Sequence, residues 1–387
     1  MIPREAEEEL LSLSAQFKAV AVTGPHQSGK TTLVRKVFSN KPYANPENPD
    51  IRKFALEDPR GFLSNYPDGA VLDEAQRAPE LFSYLRQILD ERAENGLFIL
   101  TGSNNFLIQE NISQSLAGRA GYLFLLPLSL KEINRTEENS NHILFRGGYP
   151  ALCHEKADTS KFYANYIRTY IERDVRLLKN ITDLYAFERF IRLCAGRTGQ
   201  LLNMSSLSME LGVDVKTIGS WIGILKTSFI VFRLQPYHKN FNKRIVKTPK
   251  LYFYDTGLAS ALLGLESASQ LSLNPFRGNL FENLVIVEFL KRRYNLGKSN
   301  NLFFWRDNTG NEIDLVIEKG NDQVPVEIKS GQNLSEESFK GIRYWNKLTG
   351  TEGGFLIYDG DMIQKRSNGI TAVPIKEMHS TEIFTQL

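Results

Sequence analysis

Residues 24–31, GPHQSGKT, decide how the amino-terminal part of the chain is read. They follow the apolar run Val20-Ala21-Val22 and open a helical stretch, TTLVRKVF. The pattern is GxxxxGK[ST] between a strand and a helix, a loop whose main-chain N–H groups point inward at phosphate oxygens. Gly24 and Gly29 permit the tight turn, and the start of the helix adds partial positive charge. Pro25, His26, Gln27, Ser28 and Thr32 complete the expected cradle. Lys30 is expected to reach the β- and γ-phosphates, and the Thr31 hydroxyl to ligate Mg²⁺.

A second strand must supply the other contact to the ion. VLDEA at 71–75 fits, with apolar residues and then Asp73 and Glu74 where the strand ends. Asp73 would bind the ion through water, and Glu74 would orient the attacking water of a hydrolase. An acidic turn after a strand is the plainer alternative. A third strand, FILTGS, ends in Thr101, Gly102, Ser103 and Asn104, polar residues that either sense a γ-phosphate or simply form a turn. LAGRAG at 116–121 offers Arg119. An arginine near the γ-phosphate, in cis or from a neighbouring subunit, stabilises transition-state charge; the alternative is a surface arginine. No guanine-reading NKxD pattern stands out, so ATP is the expected nucleotide.

The chain has 387 residues, enough for two or three domains. Its composition is that of an ordinary globular protein, 42% hydrophobic and 24% charged. No apolar run approaches the roughly 20 residues that span a bilayer. The acidic start, MIPREAEEELLSLSAQF, lacks the basic and apolar regions of a signal peptide. A cytoplasmic protein is expected. Cys153 and Cys194 form no CxxC pattern, which argues against a disulfide framework or a zinc site. A net charge of +3 is too small to point to nucleic acid by itself.

Texture divides the chain into 1–150, 151–270 and 271–387. The first part alternates strand-like runs (AVAVTG, GAVLDEA, LFILTGS, YLFLLPL) with helices, the signature of a parallel sheet flanked by helices. The second is mostly amphipathic helix, as in KFYANYIRTYIERDVRLLKN. Within it, MSSLSMELGVDVKTIGSWIGILKTSFI reads as helix, turn at Gly212, helix. The stretch YHKNFNKRIVKTPKLYFYD then carries Lys239, Lys243, Arg244, Lys247 and Lys250 and no acid before its final aspartate. Two strands around a basic tip would form a wing able to lie on DNA phosphates. The alternative is a domain-docking module whose tip is solvated.

The third part contains NEIDLVIEKGNDQVPVEIKSG, residues 311–331. Gly320-Asn321 is a two-residue hairpin signal. With that turn, Asp314 faces Glu327, and period-2 alternation places Asp314, Glu327 and Lys329 on one face. Ile313, Leu315, Ile317, Val324, Val326 and Ile328 are expected on the other. Two facing carboxylates repel unless a cation lies between them, and Mg²⁺ suits such a place. A lysine two residues from one ligand could hold a metal-bound water. This is the D…ExK arrangement of metal-dependent DNA nucleases, with Glu282 of the preceding helix GNLFENLVIVEFLKRR as a further carboxylate. A hairpin with one solvated face is the alternative.

These stretches together resemble a large prokaryotic family of ATPases that pairs an AAA+-like P-loop domain with a C-terminal domain of unknown function. The resemblance covers nearly the whole chain. It rests on IPRE, GPHQSGKTTL, VLDEAQRAPELF, FILTGSNN, LAGRAGYLFLLPLSLKEI, GGYP, YIRTYIERDV, YDTGLASALLG, GNLFENLVIVEFL and EIDLVI…VPVEIKSG. It implies an α/β fold in three parts: a P-loop NTPase parallel sheet, a winged-helix segment, and a restriction-endonuclease-like domain of PD-(D/E)xK type. It also implies ATP binding at 24–31. His26 departs from the arginine usual in the family, which leaves the main-chain cradle intact. The leading expectation is an Mg²⁺-dependent AAA+ ATPase coupled to a nuclease-like C-terminal domain, with DNA and an unidentified protein as candidate partners and an oligomer as a candidate state. The alternatives are an ATP-gated DNA nuclease, and a non-enzymatic nucleotide-dependent switch or scaffold.

Overall fold

The run before the phosphate loop forms β1 (Ala19–Thr23), and all five residues are buried. In this computed structural model the chain is described at residues 2–103, 112, 115–134, 138–154, 157–171, 183–238 and 246–385. β2 (Tyr43–Ala44), β3 (Ala70–Leu72), β4 (Phe98–Gly102) and β5 (Ala120–Phe124) join β1 in one sheet of order β2-β3-β4-β1-β5. Every pairing is parallel. Alternation sends Val20 and Val22 into one core with Leu10 and Leu33. Ala19 and Ala21 enter the other, with Phe82, Leu85 and Phe98. Both faces are thus covered by helices, as the strand–helix alternation predicts. Parallel strands end at the same edge, so the segments after β1, β3 and β4 gather there.

In the middle segment, helices Leu184–Ala195, Met204–Leu211 and Val215–Thr227 pack around Trp221, which meets Phe187 and Phe190 at 5.3 and 5.2 Å. Asn203 and Asp214 cap the last two helices, accepting N–H bonds from Ser206 and Lys216. Gly212 takes φ +70° at the turn between them. β6 (Val231–Pro236) and β7 (Lys250–Phe253) form the expected antiparallel pair. Lys239, Lys243 and Arg244 lie outside the described residues, as do Asn104 and residues 172–182. Lys247 is exposed. Lys250 corrects the reading of the basic tip: only 3% exposed, it opens β7 facing inward and is not available to DNA phosphate.

β6 also runs parallel to β8 (Leu302–Arg306), so the pair extends the C-terminal sheet. β9 (Glu312–Lys319), β10 (Asp322–Lys329), β11 (Gly354–Tyr358), β12 (Gln364–Lys365) and β13 (Ile370–Pro374) complete eight strands, in order β12-β13-β11-β10-β9-β8-β6-β7. The long helix Arg277–Asn295 covers one face, and helix Lys340–Thr349 the other.

The hairpin pairs in the expected register, Val324 with Ile317 and Val326 with Leu315, around Gly320-Asn321. Its inner faces need one correction. Phe303 of β8 lies opposite Val316, but Trp305 lies opposite Ile313, so β9 carries one extra residue between those pairs. That irregularity moves Ile313 into the cluster of Val316, Trp305, Ile342 and Trp345. Leu315, Ile317, Val326 and Ile328 stay on the side of the long helix.

One buried carboxylate joins the amino-terminal half to the rest. Asp255, just after β7, caps Leu258 N–H at 2.9 Å and accepts the Gly148 N–H at 2.8 Å and the Tyr163 hydroxyl at 2.7 Å. Gly147 is held at φ +69°, where an added Cβ would lie 2.3 Å from the Tyr163 hydroxyl oxygen. Asp255→Ala strips the buried Leu258 and Gly148 N–H groups of their acceptor and leaves the Tyr163 hydroxyl to the Arg146 carbonyl, at 2.8 Å; it is expected to cost about 2–4 kcal/mol. Urea denaturation checks this; a loss below about 0.5 kcal/mol, the range of an ordinary surface change, would show that the joint is unimportant.

Candidate functional site

The loop after β1 and the segment after β3 meet at the sheet edge. Gly29, at φ +94°, precedes the helix Lys30–Val37. The Thr31 hydroxyl lies 2.9 and 3.1 Å from the two carboxylate oxygens of Asp73. Asp73, only 3% exposed, also accepts the hydroxyls of Tyr43, at 2.5 Å, and Thr101. Gly24 is needed for space: an added Cβ would fall 2.1 Å from the Leu125 carbonyl oxygen. The Ser28 hydroxyl is buried with no hydrogen-bond partner among the described residues. Lys30 folds its ammonium onto the carbonyls of Gly24 and Pro25, at 3.0 and 2.8 Å. His26 is half-buried, and Gln27 and Thr32 are exposed along the same loop and helix start.

Glu74 is held at φ +52°, a left-handed conformation rarely adopted outside functional or strained sites. Its Oε2 accepts Gln76 Nε2 at 2.5 Å and Ser103 Oγ at 3.1 Å. Burial pushes its carboxyl up. The Lys30 ammonium, Gln76, His26 and Ser103 outweigh burial and hold it below the usual carboxylate range. It is therefore charged and able to accept a proton or orient water.

Arg4, which the sequence reading left without a role, braces the loop from below. Its guanidinium donates to Ser28 O and Leu126 O, both at 2.7 Å, and to Glu132 Oε1 at 2.9 Å. Beside Gly29 lies a pocket of about 400 Å³ with an apolar wall of Ile2, Leu33, Leu128 and Pro150. Arg119 lies elsewhere. Its carbonyl accepts the Ala19 N–H, at the start of β1, and its side chain pairs with Asp90 at 2.5 Å. Five extended residues separate that end from the phosphate loop, about 15 Å. The expectation of a phosphate-side arginine in cis is not met.

A second site lies in a pocket of about 800 Å³ at the start of β9 and the end of β10. Lys329 donates to Glu327 Oε2 at 2.7 Å and lies 3.8 Å from Asp314 Oδ2. Asp314 also accepts the Ile328 N–H at 2.8 Å, supplying an acceptor where β9 departs from regular pairing. Gly341 of the covering helix leaves room for Glu327; an added Cβ would fall 1.9 Å from its Oε1. Glu282 enters from the long helix, but it meets Lys250 at 2.9 Å and the Tyr252 hydroxyl at 2.5 Å. Lys250 also pairs with Glu312 at 2.5 Å, and Arg306 approaches Glu312 at 3.3 Å.

Glu312, Lys250, Tyr252 and Arg306 were not singled out as site residues from sequence. A lysine opening the aromatic strand KLYF was the available signal. Burial and the neighbouring Asp314 push the Glu327 carboxyl well above its ordinary value. Burial likewise raises Glu282, with Lys250 working against the rise and Asp314 adding to it. Burial disfavours charge on Lys329, but Asp314 and Glu327 hold it protonated. Among the described residues, no three Asp, Glu, His or Cys side chains converge as a metal cage.

Comparison with known proteins gives three family matches along the chain. Residues 16–134 match the family model of an AAA domain. Residues 137–269 and 277–378 match two domains of unknown function, DUF8612 and DUF4143. An uncharacterized protein of Mycobacterium tuberculosis is 29% identical over 389 residues, covering 99% of this chain and 86% of that one. An uncharacterized protein of Methanocaldococcus jannaschii is 22% identical over 334 residues, covering 78% of this chain and 72% of the relative. Among solved structures, the Walker-type ATPase PABY2304 of Pyrococcus abyssi aligns with 68% of this chain and 96% of its own, at 14% identity and a TM-score of 0.48. The AAA match and the parallel P-loop sheet support an AAA+-like ATPase domain with nucleotide binding. Among the described residues, no helix is long and apolar enough to cross a membrane.

The raised Glu327 carboxyl gives a signed pH dependence. Folding keeps a proton on Glu327 that the unfolded chain releases above the ordinary glutamate value. Its contribution to stability therefore falls as pH climbs from that value towards the raised one. Glu327→Gln removes this penalty. In EDTA, the variant is expected to gain stability relative to the wild type as pH rises from mildly acidic to mildly alkaline. A difference that is flat or opposite in sign across chemical denaturation curves contradicts the assignment.

Proposed function

We propose that the chain is a cytoplasmic, Mg²⁺-dependent ATPase of AAA+ type that works on its own C-terminal half. The carrying observation is the Thr31 hydroxyl against the Asp73 carboxylate, with Glu74 beside Ser103 at the same edge. The cradle fits a triphosphate: Gly24 admits no side chain, the Ser28 hydroxyl is buried without a partner among the described residues, and the Lys30 ammonium donates to the Gly24 and Pro25 carbonyls, bonds that it can exchange for phosphate oxygens. Mg²⁺ would be held by Thr31 and, through water, Asp73, and would neutralise charge on the phosphates. Glu74, kept ionised, orients the attacking water and accepts its proton. Arg4 fixes the loop. Ile2, Leu33, Leu128 and Pro150 offer an apolar surface suited to a purine base.

The C-terminal half is read as nuclease-like, and the helices before β6 together with the β6–β7 pair as a winged helix. DNA would meet exposed Lys247 and the neighbouring Lys239, Lys243 and Arg244. One observation favours a second reading, an ATP-gated DNA nuclease: Asp314, Glu327 and Lys329 share one pocket. A third reading, a nucleotide switch without turnover that binds a protein partner, is separated by kinetics.

Lys30→Ala is expected to abolish ATP binding and hydrolysis. Glu74→Gln is expected to keep binding but lose about a hundredfold or more in turnover. Wild-type turnover at background would favour the switch, and Lys30→Ala hydrolysing at the wild-type rate would refute the ATPase assignment. For the nuclease reading, supercoiled, linear and single-stranded DNA are incubated with Mg²⁺ or Mn²⁺. Cleavage that disappears in Glu327→Ala supports it; no cleavage, or equal cleavage by both proteins, removes it.

A further inference from the structure

The resemblance to metal-dependent nucleases implies a divalent ion among Asp314, Glu327 and Glu282. The side chains present do not fit one. Lys250 Nζ stands between Glu282 Oε1 and Glu312 Oε1, at 2.9 and 2.5 Å, with 3% of the residue exposed. The same Glu282 oxygen takes the Tyr252 hydroxyl. Glu327 is bonded to Lys329, and Asp314 to the Ile328 N–H. These four carboxylates thus already have a donor from the chain itself.

Charge balance leads to the same conclusion. Five acids line the pocket, Glu282, Glu312, Asp314, Glu327 and Glu337, and four cations, Lys250, Lys329, Arg306 and Lys340. That leaves one formal negative charge, less than the two positive charges a divalent ion would add. A divalent ion ligated by Glu282 would sit within a few ångströms of a buried ammonium, a repulsion that little water screens. Nor can the strand retreat freely: Asn283 of the long helix bonds both the N–H and the carbonyl of Phe253, at 2.7 and 2.8 Å.

We propose that Lys250 is the resident cation of this pocket: its ammonium occupies the place of a divalent ion, balances Glu282 and Glu312, and keeps the folded chain from binding metal there. The consequence for the nuclease reading is direct. Metal-dependent cleavage at this pocket requires Lys250 to leave it. Because β7 runs from Lys250 to Phe253 and is followed at once by Asp255, which holds Gly148 two residues from Pro150 of the base pocket, the lysine is anchored to the nucleotide side of the molecule.

The test is direct metal binding by nucleotide-free full-length protein, read by calorimetry and Mn²⁺ paramagnetic resonance. The wild type is expected to show no tight Mn²⁺ site in this pocket. Lys250→Met keeps the stem and removes the charge. It is expected to gain one site at least about tenfold tighter, lost again when Asp314→Asn is added. A wild-type site as tight as that of Lys250→Met and removed by Asp314→Asn, or no gain in Lys250→Met, overturns the proposal. If Lys250→Met fails to fold, lysine acetylation of the wild type, mapped by mass spectrometry, decides. Lys250 is expected to react at least about tenfold more slowly than exposed Lys53, with no change on adding Mn²⁺. Labelling as fast as Lys53, or exposure of Lys250 by Mn²⁺, overturns it.

Discussion

A hydroxyl and a carboxylate from two different strands, Thr31 and Asp73, meet at the edge of a parallel sheet, and the amino-terminal site depends on that meeting. β4 lies between the strands that lead to them and contributes Thr101 to the same carboxylate. Parallel pairing makes the arrangement possible, because all three strands end at one edge. Lys30, Glu74 and Ser103 then fall within reach of one another without any long connection. The local strain at Glu74 is the cost of aiming its side chain into that space.

Two rigid elements tie this edge to the C-terminal pocket. The long helix presents Glu282 to the pocket. About two turns on, Glu288 accepts the Leu130 N–H at 2.8 Å, and Lys291 donates to Leu128 O at 2.8 Å. Burial would raise Glu288, but Lys291 and His379 bring its carboxyl down to about 2. The second element is β7, with Lys250 at one end and Asp255 just beyond the other. Arg4 and Glu5 complete the junction, Arg4 on the phosphate loop and Glu5 on Arg292 of the long helix at 3.3 Å. A change at the phosphate loop therefore meets a continuous set of buried polar contacts rather than a flexible hinge.

The nucleotide edge was legible in the sequence because its signals are local. A loop that needs two glycines, a lysine and a threonine at fixed spacing declares itself, and acids just after an apolar run mark a strand end. The in-cis role expected of Arg119 fails for a physical reason that the sequence also contains. It precedes its strand, and the start of a parallel strand lies at the opposite edge from a loop that follows one. The hairpin register followed from Gly320-Asn321, but the extra residue in β9 did not, since irregular pairing depends on the neighbouring strand. Lys250 was counted with a solvated tip because its charge was weighed without its strand position. Its acidic partners lie on a helix and a hairpin that begin 27 or more residues later, and only tertiary structure brings them to it.

The most direct measurement is a crystal structure of the protein with a non-hydrolysable ATP analogue and Mg²⁺. The account requires the triphosphate to lie on the amides of residues 24–31, with the ion between Thr31 and Asp73 and Glu74 facing the terminal phosphate. An empty loop, or an ion held away from Thr31 and Asp73, would contradict it.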